Sequence, residues 1–570
     1  MLDDANALDQ TALRERVAAL EAQLVAAKRE SDAYRDERDR LREAYRHLQL
    51  ELELQRRRLF VAKAERIDTA QLDLEFAATL AKLEEVAGRL AEDEAAPSDE
   101  PPPAGPKRRP TGRRTLRDLD LPEERIVVID PLLDGLVGRM GAEETSQLVW
   151  RRGGMVRLVT VRIKYQPAGM PTAADRDPTI KIAPLPPQIL PRAIAGVSLL
   201  AHIASEKFCD GLPLYRQEDR FKRLGAPIDR GTMSRWLEEL GAIMGSSVVH
   251  AMRTDALAHA FCLATDATGV LVQPAHEGDT VRRACRRAHF FVQLADADHI
   301  FFEYTAKETS AVVGELFRGF AGYVQADAKS VYDILFRPPA QRGPPDDDEV
   351  DRAVRLEVGC WSHVRTKFWE AAITKDVVAR EGLARIRRIF ELDRSWRGRP
   401  PAEIKSLRDV HLRPHVDAFF AWVDAEFDKV KAQRGFLRTA LGYAHRQHGP
   451  LVQFFDDGRL KLDNNAAERA LRRIAVGRKA WLFVGSDDHG QAAGNLLTLI
   501  ASARLHGLDP EVYLRDVFRV FPHWPRDRYL ELCPRDWPST RARLNAAQLD
   551  AELGPLDVPP PPSSEQPATR

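Results

Sequence analysis

Between residues 261 and 361 the chain alternates short apolar runs with short helical ones, and this order constrains the fold more than any other feature. Three apolar runs come first, "FCLATDATGVLVQ", "RAHFFVQLAD" and "HIFFEYTA", and the last two are joined by the turn "DADH". The helical stretch "KETSAVVGELFRGF", the strand "GYVQADA", the helix "SVYDILF" and the strand "RLEVGCW" follow. Hairpin-linked strands followed by strands separated by helices predict a mixed α/β sheet.

The predicted strand order is that of a ribonuclease H-like core, in which the first and fourth strands are neighbours. Asp266 lies within the first strand and Asp327 ends the fourth, so we expect their carboxylates to lie side by side. Two close carboxylates repel each other unless a cation lies between them. Glu468, in "LDNNAAERALRR", would add a third ligand from a helix beside the sheet. Oxygen ligands of this kind favour Mg²⁺, and two such ions can promote attack on phosphorus.

Each of these acids also has a structural alternative. Asp266 could pair with Arg286, and Asp327 could cap the helix that follows it. Asn465-x-x-Glu468 resembles a capping box, and Glu468 precedes an arginine by four residues, the spacing of a helical ion pair. Taken singly, each alternative is the stronger interpretation, whereas the three acids taken together favour a metal site.

Basic side chains accompany the acids along the sequence. Those expected to contact DNA phosphates near the site are Arg469, Arg472, Arg473, Arg478, Lys479, Arg282, Arg283, Arg286 and Arg287. Those of an extended, proline-rich segment are Lys107, Arg108, Arg109, Arg113 and Arg114. Arg478 and Lys479 are expected in the turn after the Glu468 helix. Phosphate contacts of this kind supply affinity for DNA, and the alternatives are a solvated strand edge and a soluble linker.

The remaining sequence predicts a multidomain protein. The predicted segments are an N-terminal coiled-coil helix (1–90), a Pro-rich basic linker (91–122), a small mixed domain (123–185), a helical DNA-binding region (186–250), the α/β core (251–520) with a helical insertion at about 376–450, and a tail with a disordered end (521–570). The heptads predict a homo-oligomer, or a long solvated helix that packs on its own protein. The region 186–250 contains either a helix-turn-helix reader or two packed helices.

Composition excludes several classes of protein. Lys and Arg number 85, as do Asp and Glu, so only local clustering of charge can indicate nucleic acid. The five cysteines form no CxxC pair, which argues against a disulfide framework and a four-thiolate zinc site. Cys360-x-x-His363 cannot close a zinc site alone, and His363 is expected as an auxiliary residue near the DNA. No apolar run is long enough to span a membrane, and the acidic start is no targeting signal, so no membrane partner and a cytoplasmic location are expected.

Several longer motifs point to one family. "LPLYRQEDRF", "GCWSHVRTKFWEA" and "LDNNAAERALRRIAVGRKAWLFVGS" closely resemble segments of the insertion-sequence 66 family of transposases, and the resemblance runs with gaps from about residue 40 to about residue 520. It implies an Asp-Asp-Glu triad of Asp266, Asp327 and Glu468 on a ribonuclease H-like fold. It also implies Mg²⁺, with Mn²⁺ as a substitute, for cleavage of element ends and strand transfer into target DNA. Small accessory proteins of the element are implied as partners, and the DNA-bound protein would be associated with the nucleoid.

The chain departs from this family in two places. The counterpart of the family's cysteine-paired zinc segment, within 123–185, has no cysteine, so zinc is not expected there. The first Asp is followed by "ATGV", where the family usually has Glu-Thr-Pro. Two other functions compete with an active transposase. One is a non-catalytic coiled-coil DNA-binding protein, and the other is a structure-selective nuclease on the same fold.

Overall fold

A computed structural model describes Leu116, Leu119 and residues 121–136, 138–151, 153–165, 180–273, 284–338, 351–374 and 376–562. The predicted coiled coil, most of the linker with its five basic residues, Arg282, Arg283 and the end of the tail lie outside these residues. The described residues divide into two compact units. Both sheets and the sites discussed below belong to the larger unit, which contains 114–366, 381–422 and 443–570.

The first sheet has four strands. They are β1 (Glu123–Val128), β2 (Arg139–Arg151), β3 (Gly154–Tyr165) and β4 (Lys181–Ile182). Their order is β1-β3-β2, with β4 also paired to β3. β1 runs parallel to β3, whereas β2 and β4 are antiparallel to it. The sequence indicated β1 and β3 but not β2, whose first half is largely exposed and therefore lacks an apolar stripe.

The second sheet has five strands and carries the candidate site. They are β5 (Cys262–Val272), β6 (Arg286–Ala295), β7 (His299–Thr305), β8 (Gly322–Gln325) and β9 (Arg355–Val358). Their order is β7-β6-β5-β8-β9, with β5 to β7 antiparallel and β8 and β9 parallel to β5. The prediction of a mixed sheet with neighbouring first and fourth strands is confirmed.

Short helices precede and connect these strands. They are α1 (Val197–Phe208), α2 (Leu214–Arg223), α3 (Arg230–Met244), α4 (His250–His259), α5 (Ser310–Leu316) and α6 (Asp333–Phe336). A π-helical turn, Gly245–Val249, joins α3 to α4. The two helical periods predicted around Gly225 are therefore α2 and α3. The inner face of α3, with Met233, Trp236 and Leu240, is buried, and a helix-turn-helix role for this pair stays a prediction.

The second half of the chain is mainly helical. Its helices are α7 (Trp361–Ile373), α8 (Val377–Ser395), α9 (Pro401–Leu407), α10 (Arg413–Val430), α11 (Phe436–Arg446), α12 (His448–Val452), α13 (Asn465–Trp481), α14 (Asp487–Leu505), α15 (Pro510–Val520), α16 (Trp537–Ala542) and α17 (Ala546–Asp550). None of the helices described is long and apolar enough to cross a membrane.

The second sheet is buried on both faces. Phe290 belongs to the cluster that contains Ala467 and Leu471 of α13, whereas its neighbour Phe291 belongs to the cluster on the opposite face. Consecutive residues of a strand point to opposite faces, so β6 is apolar at both. α14 lies against β7 so closely that a Cβ at Gly494 would come within 2.4 Å of the Phe302 carbonyl oxygen. The first three strands and α13 therefore form a rigid support for the residues of the site.

Candidate active site

The two aspartates lie at the same level on neighbouring strands. β5 pairs with β8 in parallel, and paired residues differ by 61 positions, as in Ala264 and Gln325 (325 − 264). Asp266 and Asp327 have the same separation (327 − 266), so they follow the last pair by two residues on each strand. Asp266 is still within β5, whereas β8 ends at Gln325 and Asp327 lies just beyond it.

Glu468 reaches this end of the sheet from the first turn of α13. The apolar residues Ala467, Leu471 and Ile474 are buried against the sheet at helical spacing. The buried Asn464, just before the helix, donates its side-chain Nδ2–H to the Thr265 carbonyl oxygen at 2.6 Å. This bond connects the start of α13 to the residue next to Asp266. The helix that carries Glu468 is therefore held directly to the strand that carries the first aspartate.

The structural alternatives for Glu468 are wrong. The N-cap of α13 is Asn464, its side chain makes no capping hydrogen bond, and the Asn465 N–H bonds instead to the Asp463 carboxylate at 3.1 Å. A capping box at Asn465 is therefore absent. The only ion pair found for Glu468 among the described residues is with His363, at 4.0 Å, and not with Arg472.

Asp266 lies in an environment that disfavours its charge. Burial raises the pKa of its carboxyl above the usual value, and the nearby carboxylates of Asp327 and Glu468 add to this effect. The Ala267 N–H, which donates to Asp266 Oδ1 at 2.7 Å, and the more distant charge of Lys329 oppose it. The predicted alternative of a pair with Arg286 is wrong, because Arg286 forms its ion pair with Asp487 of α14.

Asp327 has one compensated oxygen and one uncompensated oxygen. Its Oδ2 lies 3.5 Å from Lys329 Nζ, whereas its Oδ1 is buried and has no hydrogen-bond partner in the described structure. Lys329 Nζ also lies 3.6 Å from Glu308 Oε1. Burial lowers the pKa of Lys329, but the carboxylates of Asp327, Glu308 and Asp266 together outweigh burial and raise it. Sequence reasoning missed Lys329 and Glu308, although Lys329 is only two residues from Asp327.

A cleft of about 480 Å³ opens beside the sheet, and it is lined by Asp266, Glu468, His363, Arg365 and Arg472 among others. His363 Nδ1 is buried without a hydrogen-bond partner. Donor atoms of His363, Glu468 and Cys360 lie within 4.8 Å of one another and could hold a cation. Burial raises the pKa of the Cys360 thiol to about 11, and its Sγ accepts the Asn464 N–H at 3.3 Å. Cys360 is therefore a buried, protonated thiol, and its hydrogen bond with Asn464 helps to hold the start of α13.

The predicted basic residues have different environments. Arg478 and Lys479 lie in the last turn of α13 and not in a turn after it, so that expectation is wrong. Arg478 donates to Thr268 Oγ1 at 3.2 Å and to the Gly269 carbonyl oxygen, which ties the end of α13 to β5. Arg473 donates to the Cys209 carbonyl oxygen at 3.4 Å. Of the predicted basic residues that the structure describes, those exposed to solvent are Arg469, Arg472, Lys479 and Arg287.

The residues present fit a divalent cation. Asp327 offers a buried oxygen with no other partner, and Asp266 has a raised pKa that a cation would lower. Carboxylate oxygens are the ligands that Mg²⁺ prefers. Clustered carboxylates beside exposed arginines are the groups expected of a protein that binds metal ions and phosphodiesters.

Comparison with known protein families shows which family the chain belongs to. The family model described as "Transposase IS66 family" matches residues 192–492, just over half of the 570 residues. The model described as "IS66 C-terminal element" matches 498–534, and "Transposase C of IS166 homeodomain" matches 47–126. The chain belongs to the IS66 transposase family, and the resemblance inferred from its motifs is confirmed.

Curated relatives occur in Sinorhizobium fredii (strain NBRC 101917 / NGR234). The uncharacterized protein y4hP is 27% identical over 534 residues, which cover 87% of this chain and 89% of the relative. The uncharacterized protein y4qI is 27% identical over 385 residues, covering 66% and 68%. The uncharacterized protein y4jD is 27% identical over 350 residues, covering 59% and 64%. The similarity to y4hP thus extends over most of both chains.

Proposed function

We propose that this transposase cuts DNA at the ends of its element and joins those ends to target DNA, using Asp266, Asp327 and Glu468 in a ribonuclease H-like core. The observation that carries the proposal is the placement of the three acids. Two lie at one level of neighbouring parallel strands, and the third lies on a helix tied by Asn464 to the first strand. A partly buried carboxylate with a raised pKa, such as Asp266, is costly for folding when no Lys or Arg of the described residues pairs with it, and this favours a functional role.

The three acids would hold Mg²⁺, for which Mn²⁺ could substitute. When bound, the metal would activate the attacking oxygen and stabilise the leaving oxygen of the phosphodiester. Lys329 Nζ, 3.5 Å from Asp327 Oδ2, would help to hold that carboxylate beside the metal. The exposed Arg472, one turn after Glu468, is placed to contact a phosphate that enters the cleft. Exposed Arg469 and Lys479 extend this positive surface along α13.

Mobility of a marked element in cells tests the proposal. Wild type should move the element, and Glu468→Gln at equal protein level should not. Glu391→Gln on α8 is a matched control, because Glu391 is in an exposed i, i+4 pair with Arg387. We expect the control to move the element like wild type. Equal mobility with Glu468→Gln would show that Glu468 is not a catalytic ligand.

The products distinguish transposition from the two alternatives. A transposase yields DNA in which an element end is joined to a new target strand, and a nuclease on the same fold yields only cut ends. A non-catalytic DNA-binding protein yields neither. The further proposals of a homo-oligomer through 1–90 and of small accessory proteins rest on the heptads and the family alone.

A further inference from the structure

A second cavity, of about 500 Å³, lies beside a different face of α13. Its walls come from the end of α1, from α3, β6 and α14, and from the loop after α13. Apolar and aromatic side chains contribute to its lining, among them Phe290, Ile474, Trp481 and Leu497. Its size is within the range of roughly 300–1,000 Å³ that small-ligand sites occupy.

The rim of this cavity is basic. The lining cations are Lys207, Arg469, Arg472 and Arg473, and the lining acids are Asp210 and Glu238. Glu238 is already paired with His489 at 3.2 Å. Lys207 has no carboxylate within 4 Å in the described part of the chain, and burial lowers its pKa to about 8. Its ammonium lies 5.5 Å from the centroid of the Phe208 ring, and an anionic ligand would supply the opposite charge that this contact lacks.

Aromatic residues at the mouth add a stacking surface. The Trp481 indole folds back over Gly477, where a Cβ would lie 2.8 Å from the indole nitrogen. Phe483 is 42% exposed and Val476 is 61% exposed beside it. Exposed aromatic side chains interleaved with arginines are the combination that binds unpaired bases together with their phosphates.

Arg472 connects this cavity to the candidate active site, because it lines both of them. Glu468 and Arg472 lie one turn apart on α13. Arg469 directly follows Glu468, and Arg473 directly follows Arg472. A DNA strand that passes through the carboxylate cleft would therefore cross Arg472 and reach the second cavity.

We propose that this cavity takes one unstacked nucleotide of the element end, with its base against Trp481 and its phosphate beside Lys207 and Arg472. The inference rests on the proposed function, since it names how the same site holds its DNA. Extraction of a base from the duplex requires unstacking energy, which contacts with an aromatic pocket can offset. The pocket would thus fix which phosphodiester lies over the carboxylates.

Fluorescence of 2-aminopurine tests this proposal. The probe is a duplex with the terminal sequence that flanks the gene, in which 2-aminopurine replaces one base at a time near the cleaved end. The protein is Glu468→Gln in Ca²⁺, so that binding is measured without cleavage. We expect emission to rise at one or two adjacent positions only, because a base that leaves the stack loses its quenching neighbours.

Variants then assign the signal to the cavity. Ala480→Phe fills it, and it should abolish the rise and weaken end binding by roughly tenfold, within the range of one base–aromatic stack. Ala402→Phe, the same change on exposed α9, should leave both unchanged. If Ala480→Phe lowers the melting temperature, its binding defect could reflect misfolding, and Lys207→Gln is then the deciding variant. It roughly preserves the side-chain volume, and it should weaken end binding severalfold.

The outcomes separate this proposal from the catalytic one. A bound duplex with no position-specific rise, or a rise that persists in Ala480→Phe, would overturn the nucleotide pocket, as would unchanged end binding in Lys207→Gln. Cleavage by the wild-type protein in Mg²⁺ is measured on the same duplex. Cleavage without a rise would leave the carboxylate site intact, whereas a rise without cleavage would support the pocket and contradict the catalytic assignment.

Discussion

Acidic residues on the two sheets of this transposase differ in how their charge is compensated. In the first sheet, Glu143 of β2 lies directly opposite Arg162 of β3, with their side chains 3.0 Å apart. Glu123 of β1 likewise lies opposite Arg157 of β3 and pairs with it. In the second sheet, Asp266 accepts only the Ala267 N–H, and no Lys or Arg in the described structure lies within 4 Å of its carboxylate.

The difference is between charges that are paired within a sheet and a charge for which we propose a function. Cross-strand pairs such as Glu143 and Arg162 stabilise the sheet modestly and fix its register. Asp266 gains no such pair, and burial together with two other acids raises its pKa. This lack of compensation is what supports the proposed active site in the second sheet.

The largest effect should come from removing the two aspartates of the proposed site. We expect Asp266→Asn or Asp327→Asn to lower Mg²⁺-dependent end cleavage by roughly 10³-fold, since metal-held charge stabilisation amounts to several kcal/mol. Glu143→Gln, which removes a paired acid of the first sheet, should leave the cleavage rate within about twofold of wild type. Single-turnover cleavage of a labelled duplex measures both. If Glu143→Gln lowered cleavage as much as Asp266→Asn, the contrast between the acids of the two sheets would be wrong.

A smaller effect should follow from loosening α13. Asn464→Ala removes the bond to the Thr265 carbonyl oxygen, and residues that orient metal ligands typically contribute about 10–100-fold. We expect cleavage to fall by that factor and the Mg²⁺ concentration for half-maximal rate to rise. Asn545→Ala, which removes the N-cap of α17, is the control and should change neither quantity. A loss of cleavage with an unchanged Mg²⁺ requirement would argue against a positioning role for Asn464.

The pH profile should show the raised pKa of Asp266. Protons compete with the metal for this carboxylate, so cleavage should fall on acidification, by at most about tenfold per pH unit for one group. The fall should begin at a higher pH than for an ordinary aspartate, because the pKa is raised. More Mg²⁺ should move the midpoint to lower pH. A midpoint that does not respond to Mg²⁺ would assign the titration to another group.

The smallest effect concerns stability without metal. A carboxyl whose pKa is raised on folding contributes stability below its unfolded pKa and loses it as pH rises through the folded pKa. At neutral pH the Asp266 charge is therefore unfavourable, and Asp266→Asn should raise the melting temperature by roughly 1–4 °C. Glu143→Gln should lower stability by less than about 1 kcal/mol.

Thermal unfolding with and without Mg²⁺ measures this contrast. Mg²⁺ should raise the melting temperature of wild type, because a ligand that binds the folded state stabilises it. It should have little effect on Asp266→Asn. A destabilised Asp266→Asn would show that the Asp266 carboxylate contributes to the fold itself.

Much of the second sheet could be predicted because its signals are local. Apolar runs and turns indicated β5 to β9 in order, and the parallel neighbours β5 and β8 followed from that order. The wrong predictions came from local sequence rules at positions where hydrogen bonds to a distant strand determine the structure instead. Asn465-x-x-Glu468 has the spacing of a capping box, but Asn464 is bonded to β5 instead. The helix was expected to end before Arg478, yet the bonds of Arg478 to β5 hold the last turn in place.

The sequence by itself determined the family and the order of the strands in the second sheet, because motif spacing and apolar periodicity are properties of neighbouring residues. It also predicted the three acids of the proposed site. Only the tertiary structure decided which charges are left uncompensated. Lys329 lies beside Asp327, His363 beside Glu468, and Arg286 is paired with Asp487 and not with Asp266. The pairs of His363 with Glu468 and of Arg286 with Asp487 join side chains more than 100 residues apart, and even Lys329, two residues from Asp327, meets it only because the chain turns after β8. Burial then sets the energies of these pairs, so the sequence pattern alone does not contain them.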